Sequence, residues 1–268
     1  MLKSPSSPTL ALSLLGLAAL SGCVGSTGGE LLTFDAFAAG PEDAIAGEPY
    51  TFETSRGYSV TLSRARLHVG AVYLNQSRPA SVASDTGCFL PGVYVAEVTT
   101  GLDVDLLSPE LQPFPEQGSG ITGPALAGEV WLFGGDDVND PTDDTEILDV
   151  EGVARKDGVD LPFEGEITIS DNRVIPPASP AQPGANPICK QRIVTPIPVD
   201  LDLAVGDSLV LRADPRAMLD RVQFAELPEG GGSPPVRRFE DDDGTAPDRA
   251  LYDGLRSASG TYRFSLEK

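Results

Sequence analysis

Residues 147–169 read ILDVEGVAR-KDG-VDLPFEGEITI, and this stretch carries the clearest structural signal in the chain. Two segments rich in apolar and β-branched residues flank Lys156-Asp157-Gly158. Asp-Gly pairs tolerate the positive φ angles that a tight hairpin turn requires. The stretch therefore predicts an antiparallel hairpin, with one strand over 147–155 and the other over 159–169.

Apolar and polar residues alternate along several further segments, as expected of half-buried strands. The alternation changes phase near Ser63-Arg64, which predicts a β-bulge or a strand break at that point. Val130–Phe133 is a short apolar run of the kind that forms a buried strand. The predicted strands outside the hairpin cover residues 58–62, 67–73, 93–95, 102–106, 130–133, 197–203, 208–211 and 262–266.

Helix signals are few and short. Asp214-Pro215 is typical of an N-cap followed by proline in the first turn, and residues 245–256 carry a second signal. Many short strands and few helices favour an all-β fold, an antiparallel β-sandwich of the immunoglobulin-like or jelly-roll type. We expect a single domain over 31–268, with long proline- and glycine-rich loops at 175–188 and 227–245.

The first 22 residues have the features of a bacterial lipoprotein signal peptide. Lys3 precedes an apolar stretch over 10–20 that is too short to span a bilayer. The next residues, Leu20-Ser21-Gly22-Cys23, resemble a lipobox. The resemblance implies cleavage before Cys23 and acylation of its sulfur and new amino terminus, with 23–30 as a lipidated, flexible tether. An ordinary secretory signal is the alternative.

Val24 bears on the membrane to which such a lipoprotein is sorted. In many Gram-negative bacteria an aspartate after the lipidated cysteine retains the protein in the inner membrane. Val24 stands at that position, so the resemblance favours the outer membrane over the inner one.

The chain has three cysteines, and lipidation of Cys23 would leave Cys88 and Cys189. Two thiols in an oxidising compartment usually form a disulfide. The bridge would close a loop of about 100 residues, which corresponds to roughly 4–5 kcal/mol in the chain-entropy model. A metal site built from Cys88, Cys189 and His68 is the alternative.

Acidic residues exceed basic ones by 40 to 19, and the resulting net charge of −21 argues against nucleic-acid binding. The acids are densest over 136–146, where alternating oxygen-bearing side chains are typical of Ca²⁺ ligands. The segment lacks the glycine and glutamate of an EF-hand, since Thr142 and Leu148 stand at those positions. A solvated acidic loop is the favoured interpretation, and a Ca²⁺ site is the alternative. The candidate ligands are Asp136, Asp137, Asn139, Asp140, Asp143, Asp144 and Glu146.

Catalytic patterns are scarce. The chain contains no Gly-x-Ser-x-Gly, no Walker A loop and no dinucleotide fingerprint. The single histidine, His68, shares a predicted strand face with Arg64 and Arg66, and we interpret it as a surface residue. Trp131 is interpreted as a core residue and not as a sugar-binding platform. We therefore expect a protein that is not an enzyme, with a carboxylate-based envelope hydrolase as the alternative.

Four segments resemble periplasmic or surface β-sandwich lipoproteins of the MbnP-like kind: GEPY at 47–50, GYSVTL at 57–62, VYL at 72–74 and SGTYRF at 259–264. That group includes members tied to copper handling. The resemblance implies copper as a weaker alternative to Ca²⁺, because only His68 and Met218 remain as histidine or methionine ligands after the signal peptide.

These observations together predict a lipid-anchored, non-catalytic binding or accessory module of the cell envelope. The membrane is the expected partner, through Cys23, and a protein or small-molecule ligand is left open. No cofactor is expected in this interpretation, and metal handling is the main alternative.

Overall fold

The computed structural model describes residues 28–78, 93–173, 187–242 and 244–268. The predicted signal peptide, Cys23, Cys88 and residues 175–186 of the proline-rich loop lie outside the described residues. Within them, the prediction of an all-β sandwich with few short helices is confirmed. No helix in the described ranges is both long and apolar enough to cross a bilayer.

The strands are short and are distributed along the whole described chain. In chain order they are β1 (Leu31–Phe34), β2 (Ala36–Ala39), β3 (Tyr50–Glu53), β4 (Ser59–Val69), β5 (Ala71–Asn75), β6 (Tyr94–Val98), β7 (Leu102–Asp105), β8 (Gln112–Pro113), β9 (Gly118–Ile121), β10 (Gly123–Trp131), β11 (Glu146–Lys156), β12 (Val159–Thr168), β13 (Ile193–Leu203), β14 (Ser208–Ala213), β15 (Arg237–Arg238) and β16 (Tyr262–Glu267). The helices are α1 (Ile188–Arg192), α2 (Pro215–Leu219) and α3 (Ala246–Leu255), with 3-10 turns at Asp171–Arg173 and Phe224–Glu226.

These strands form three sheets around one core. The first sheet has the order β1-β9-β6-β5-β10-β13, and the second has the order β15-β12-β11-β4-β3, with β7 also pairing with β4. The third has the order β16-β14-β2-β8. Most pairs are antiparallel, and apolar side chains of all three sheets, such as Leu74, Leu148 and Leu211, belong to a single buried cluster.

The predicted hairpin and the predicted bulge are both confirmed. β11 and β12 pair from Glu146 to Lys156, and the turn residues Asp157 and Gly158 have φ values of 53° and 78°. β4 runs unbroken, but its ladder with β11 shifts so that Ser63 has no partner residue. The extra residue re-aims the strand, which keeps apolar side chains buried on both sides of the bulge.

Both predicted helix starts are confirmed by their caps. The Asp214 carboxylate accepts the N–H of Arg216, and the Thr245 hydroxyl accepts the N–H of Asp248. The short helix α1 is not predicted by the sequence pattern. Residues 227–242 are more ordered than their glycine and proline content suggests, because Phe239 is buried against Phe163 and β15 pairs with β12.

Candidate functional site

The outer face of the first sheet carries the strongest candidate site. Side chains alternate between the faces of a strand, so Val72 and Val130 point into the main core while their neighbours point away from it. A second, smaller apolar cluster covers this outer face. Its buried members are Ala71, Trp131, Val138, Cys189 and Ile193, with Tyr73 and Phe133 packed against them. Trp131 is 6% exposed, which confirms its interpretation as a core residue.

A row of five side chains crosses this face through five neighbouring strands. The pairing runs from β10 to β1, with each residue directly opposite the next. Residues opposite one another in this way lie close enough for direct contact between their side chains. In order, the row is Glu129, Tyr73, Glu97, Ser119 and Thr33.

Glu129 is the buried end of the row, with 1% of its surface exposed. Its Oε1 accepts a hydrogen bond from Asn75 Nδ2 at 2.8 Å, and its Oε2 accepts one from Trp131 Nε1 at 3.0 Å and one from the Tyr94 hydroxyl at 3.4 Å. Burial raises the pKa of Glu129, and the three donors oppose this by stabilising the carboxylate. The result is a desolvated acid held in place on a sheet.

Aromatic rings surround this acid. The ring centroids of Tyr73 and Tyr94 are 5.0 Å apart, and those of Tyr73 and Trp131 are 4.7 Å apart. Burial raises the pKa of the Tyr73 hydroxyl, and the charges of Glu97 and Glu129 raise it further. The two tyrosines are therefore neutral hydrogen-bonding groups at neutral pH.

A groove of about 600 Å³ opens at the other end of the row, between β1, β6 and β9. Leu31, Leu32 and Ile121 supply apolar walls, and Tyr94 joins the groove to the Glu129 network. Glu97 is its charged group, and no lysine or arginine lines it within the part of the chain that the structure describes. A ligand with an apolar body and a neutral or cationic polar group fits this lining, whereas an anion would be repelled.

The acidic segment packs beside this site, but its carboxylates accept hydrogen bonds from the turns of the segment itself. Asp143 accepts hydrogen bonds from the N–H groups of Gly134 and Gly135, both at 3.1 Å, and from the Thr145 hydroxyl at 2.6 Å. Burial acts to raise the pKa of Asp143, but these hydrogen bonds outweigh it and the pKa lies below its usual range. Asp137 and Asp140 likewise accept hydrogen bonds from residues two positions further on.

A buried arginine supplies the positive charge beneath this segment. The Arg192 side chain is 0% exposed and donates hydrogen bonds to the carbonyl oxygens of Ile169, Val138 and Asp143 at 2.7, 3.0 and 2.9 Å. Its Nη2 also lies 3.6 Å from Asp143 Oδ2. Burial lowers the pKa of Arg192, and the neighbouring aspartates raise it.

The candidate Ca²⁺ ligands do not converge on one point. Asp136, Asp144 and Glu146 are exposed. Within the described ranges, the three carboxylates that come within 4.8 Å of one another belong to Glu240, Asp242 and Asp248, and none of the predicted ligands is part of such a group. The geometry favours the interpretation of residues 136–146 as a solvated acidic loop.

His68 and Cys189 lie apart from the groove lining. His68 Nδ1 is 2.6 Å from Asp103 Oδ1, and its side chain is 17% exposed, so it is more enclosed than a surface residue. Cys189 is fully buried and disulfide-bonded. Its pairing with Cys88 stays a prediction. A sulfur in a disulfide does not supply the thiolate that a metal site needs.

No protein-family model matches the chain, and a comparison with curated proteins finds no match. Among solved structures, MbnP from Methylosinus trichosporium is similar at 10% sequence identity, with a TM-score of 0.39. The match covers 89% of this chain and 99% of that chain. A similarity of this size does not decide the ligand or the activity.

Proposed function

We propose that the mature chain is a lipid-anchored, non-catalytic binding module of the cell envelope. Cys23 carries the anchor, Val24 favours the outer membrane, and a small amphipathic molecule occupies the groove between β1, β6 and β9. The lipobox supports the anchor. The groove, which Tyr94 connects to the buried Glu129, is the observation that carries the binding function.

The size and chemistry of the groove support a small-molecule ligand. A volume of about 600 Å³ falls in the range of ligand sites, which are mostly apolar with a few placed polar groups. Tyr94 lines the groove and donates a hydrogen bond to Glu129, whose pKa burial raises, and a perturbed acid linked to a cavity is a further sign of a functional site. Glu97 favours a ligand whose polar group is an amine over one that ends in a carboxylate.

At this groove, the geometry argues against a carboxylate-based hydrolase. A carboxylate hydrolase needs two carboxyl groups that face each other across a cleft, about 5–9.5 Å apart. Glu97 is the one carboxylate among the described residues that line the groove. Glu129 does not line the groove and both of its oxygens accept hydrogen bonds, so it is not free to act on a bound molecule.

Calorimetric titration of the anchored protein in vesicles tests the ligand class, with empty vesicles as the blank. We expect hexylamine to bind roughly tenfold more tightly than hexanoate, because the carboxylate of Glu97 attracts one and repels the other. Hexanol serves as the neutral reference compound. Glu97→Gln should lower the affinity for hexylamine to that for hexanol. Affinities of so small a ligand are expected in the millimolar range.

A matched pair of variants locates the site. Thr33→Trp places an indole in the groove and should abolish binding, whereas Thr51→Trp, on the exposed edge strand β3 of the second sheet, should leave it unchanged. Equal affinity for the amine and the carboxylate, or binding that survives Thr33→Trp, would contradict the proposed site.

A further inference from the structure

Three large apolar side chains are exposed at one end of the first sheet. Leu31, Val93 and Val205 have 84%, 55% and 66% of their surface exposed. Leu31 and Val205 are the two most exposed large apolar residues of the described chain. Single exposed apolar residues are common, but a set at one place marks an interaction surface. We call Leu31, Val93 and Val205 the apolar rim.

Chain neighbours of Leu31 and Val205 meet at the junction of β9 and β10. Glu30, next to Leu31, donates its N–H to the Thr122 hydroxyl at 2.9 Å and accepts the N–H of Thr122 at 2.8 Å. The residue after Thr122 pairs with Leu203 in the ladder of β10 and β13. Val205 lies two positions beyond Leu203. It therefore lies at the same end of the sheet as Leu31, which follows Glu30.

The third member belongs to the same end. Val93 directly precedes Tyr94, which lines the groove together with Leu31. Its carbonyl oxygen accepts the N–H of Gln76, just beyond the end of β5. Leu31 therefore lines the groove itself, and Val93 directly precedes another of its lining residues, Tyr94.

The chain reaches this end of the sheet directly from the predicted anchor. Gly28 is the first described residue, and five peptide units separate it from Cys23. A chain of that length spans at most about 18 Å. A lipid on Cys23 would hold Gly28 within that distance of the membrane surface, and Leu31 of the rim follows three residues later.

We infer that the apolar rim rests in the membrane interface, so that the body is docked on the bilayer and the groove opens beside it. This inference rests on the proposed lipidation of Cys23. Leucine and valine side chains enter the boundary between headgroups and acyl chains without a polar partner to desolvate.

The negative charge of the chain determines which lipid headgroups the rim can approach. The net charge is −21, and Glu30 adds an acid at the rim, so anionic lipids would repel this end. Contact with a zwitterionic phospholipid through apolar side chains is therefore expected. Such contact does not depend on ionic strength, unlike the attraction of a basic patch.

Quenching by brominated lipid tests the contact in the full-length lipidated protein, reconstituted in phosphatidylcholine vesicles. Tryptophan is placed at the rim by Leu31→Trp or Val205→Trp, and at a control position by Val159→Trp. Val159 is 56% exposed at the hairpin turn of the second sheet. The native Trp131 is buried and gives the same background in each variant. Bromine on the acyl chains should quench the added rim fluorescence by roughly half and leave the control unquenched, in low and high salt alike.

Vesicle flotation of the same samples separates this inference from the anchor. Protein that floats with the vesicles but shows no quenching at positions 31 and 205 would overturn the docking and leave the anchor intact. Protein that does not float would overturn both. The two rim variants are independent, so failure of one to fold leaves the other as the test.

Discussion

Replacing Arg192 by methionine is expected to lower the free energy of unfolding by about 3–5 kcal/mol. The guanidinium is fully buried and donates to three carbonyl oxygens from two segments, that of Ile169 and those of Val138 and Asp143 in the acidic segment. Methionine fills similar volume but leaves these oxygens without donors and the Asp143 carboxylate without a nearby cation. Buried polar groups that lose their partners are among the costliest defects in a folded protein.

Urea unfolding of the variant measures this effect, and Arg263→Met is the matched control. The Arg263 side chain is 62% exposed and pairs with Glu42 at the surface, so its loss should change stability by less than about 1 kcal/mol. Equal stability of Arg192→Met and the native chain would show that the acidic segment does not depend on the buried cation.

Removal of the disulfide at Cys189 is expected to cost roughly 2–5 kcal/mol. Cys189 is fully buried in the cluster on the outer face of the first sheet. If its partner is Cys88, the bridge limits the unfolded chain over about 100 residues, and its loss increases the entropy of the unfolded state.

A double-mutant cycle identifies the partner. Cys88→Ser, Cys189→Ser and the double variant should lose the same free energy in urea unfolding, because each of them removes the same bond. A reducing agent should destabilise the native chain and leave the three variants unchanged. Costs that add in the double variant, or a harmless Cys88→Ser, would exclude this pairing.

The sequence predicted those parts of the fold that depend on neighbouring residues. The turn at Asp157-Gly158, the bulge at Ser63 and the cap at Asp214 each follow from a few adjacent side chains. Period-two alternation is equally local and indicates the longer strands, whereas the short strands β1, β2, β3, β8, β9 and β15 are not predicted. The short helix α1 is not predicted either, because it has no side-chain cap.

The site depends on contacts between distant residues, and this is why the sequence pattern does not reveal it. Glu129 meets Asn75, 54 residues away, and Tyr94, 35 residues away, only after three strands have paired. In the sequence it is one acid among 40, although its place within an apolar run sets it apart. The sequence pattern likewise does not reveal the role of Arg192, because the three carbonyl oxygens that accept its hydrogen bonds come from two other segments.

The position of Arg192 gives the favoured interpretation of the acidic segment a physical basis. Alternating oxygen-bearing residues are compatible with a Ca²⁺ loop, and also with turns whose carboxylates accept backbone N–H groups. Asp137, Asp140 and Asp143 make the second kind of contact. The buried guanidinium provides the positive charge that such a loop needs at its base.

The intact mass of the mature chain, purified from the membrane fraction, tests the anchored binding module most directly. We expect a chain that begins at Cys23 and carries a diacylglyceryl group on the sulfur and an acyl group on the amino terminus. Cys23→Ser should abolish this mass and release the protein from the membrane. A mature chain with an unmodified thiol at Cys23, or one that begins at another residue, would contradict the lipid anchor.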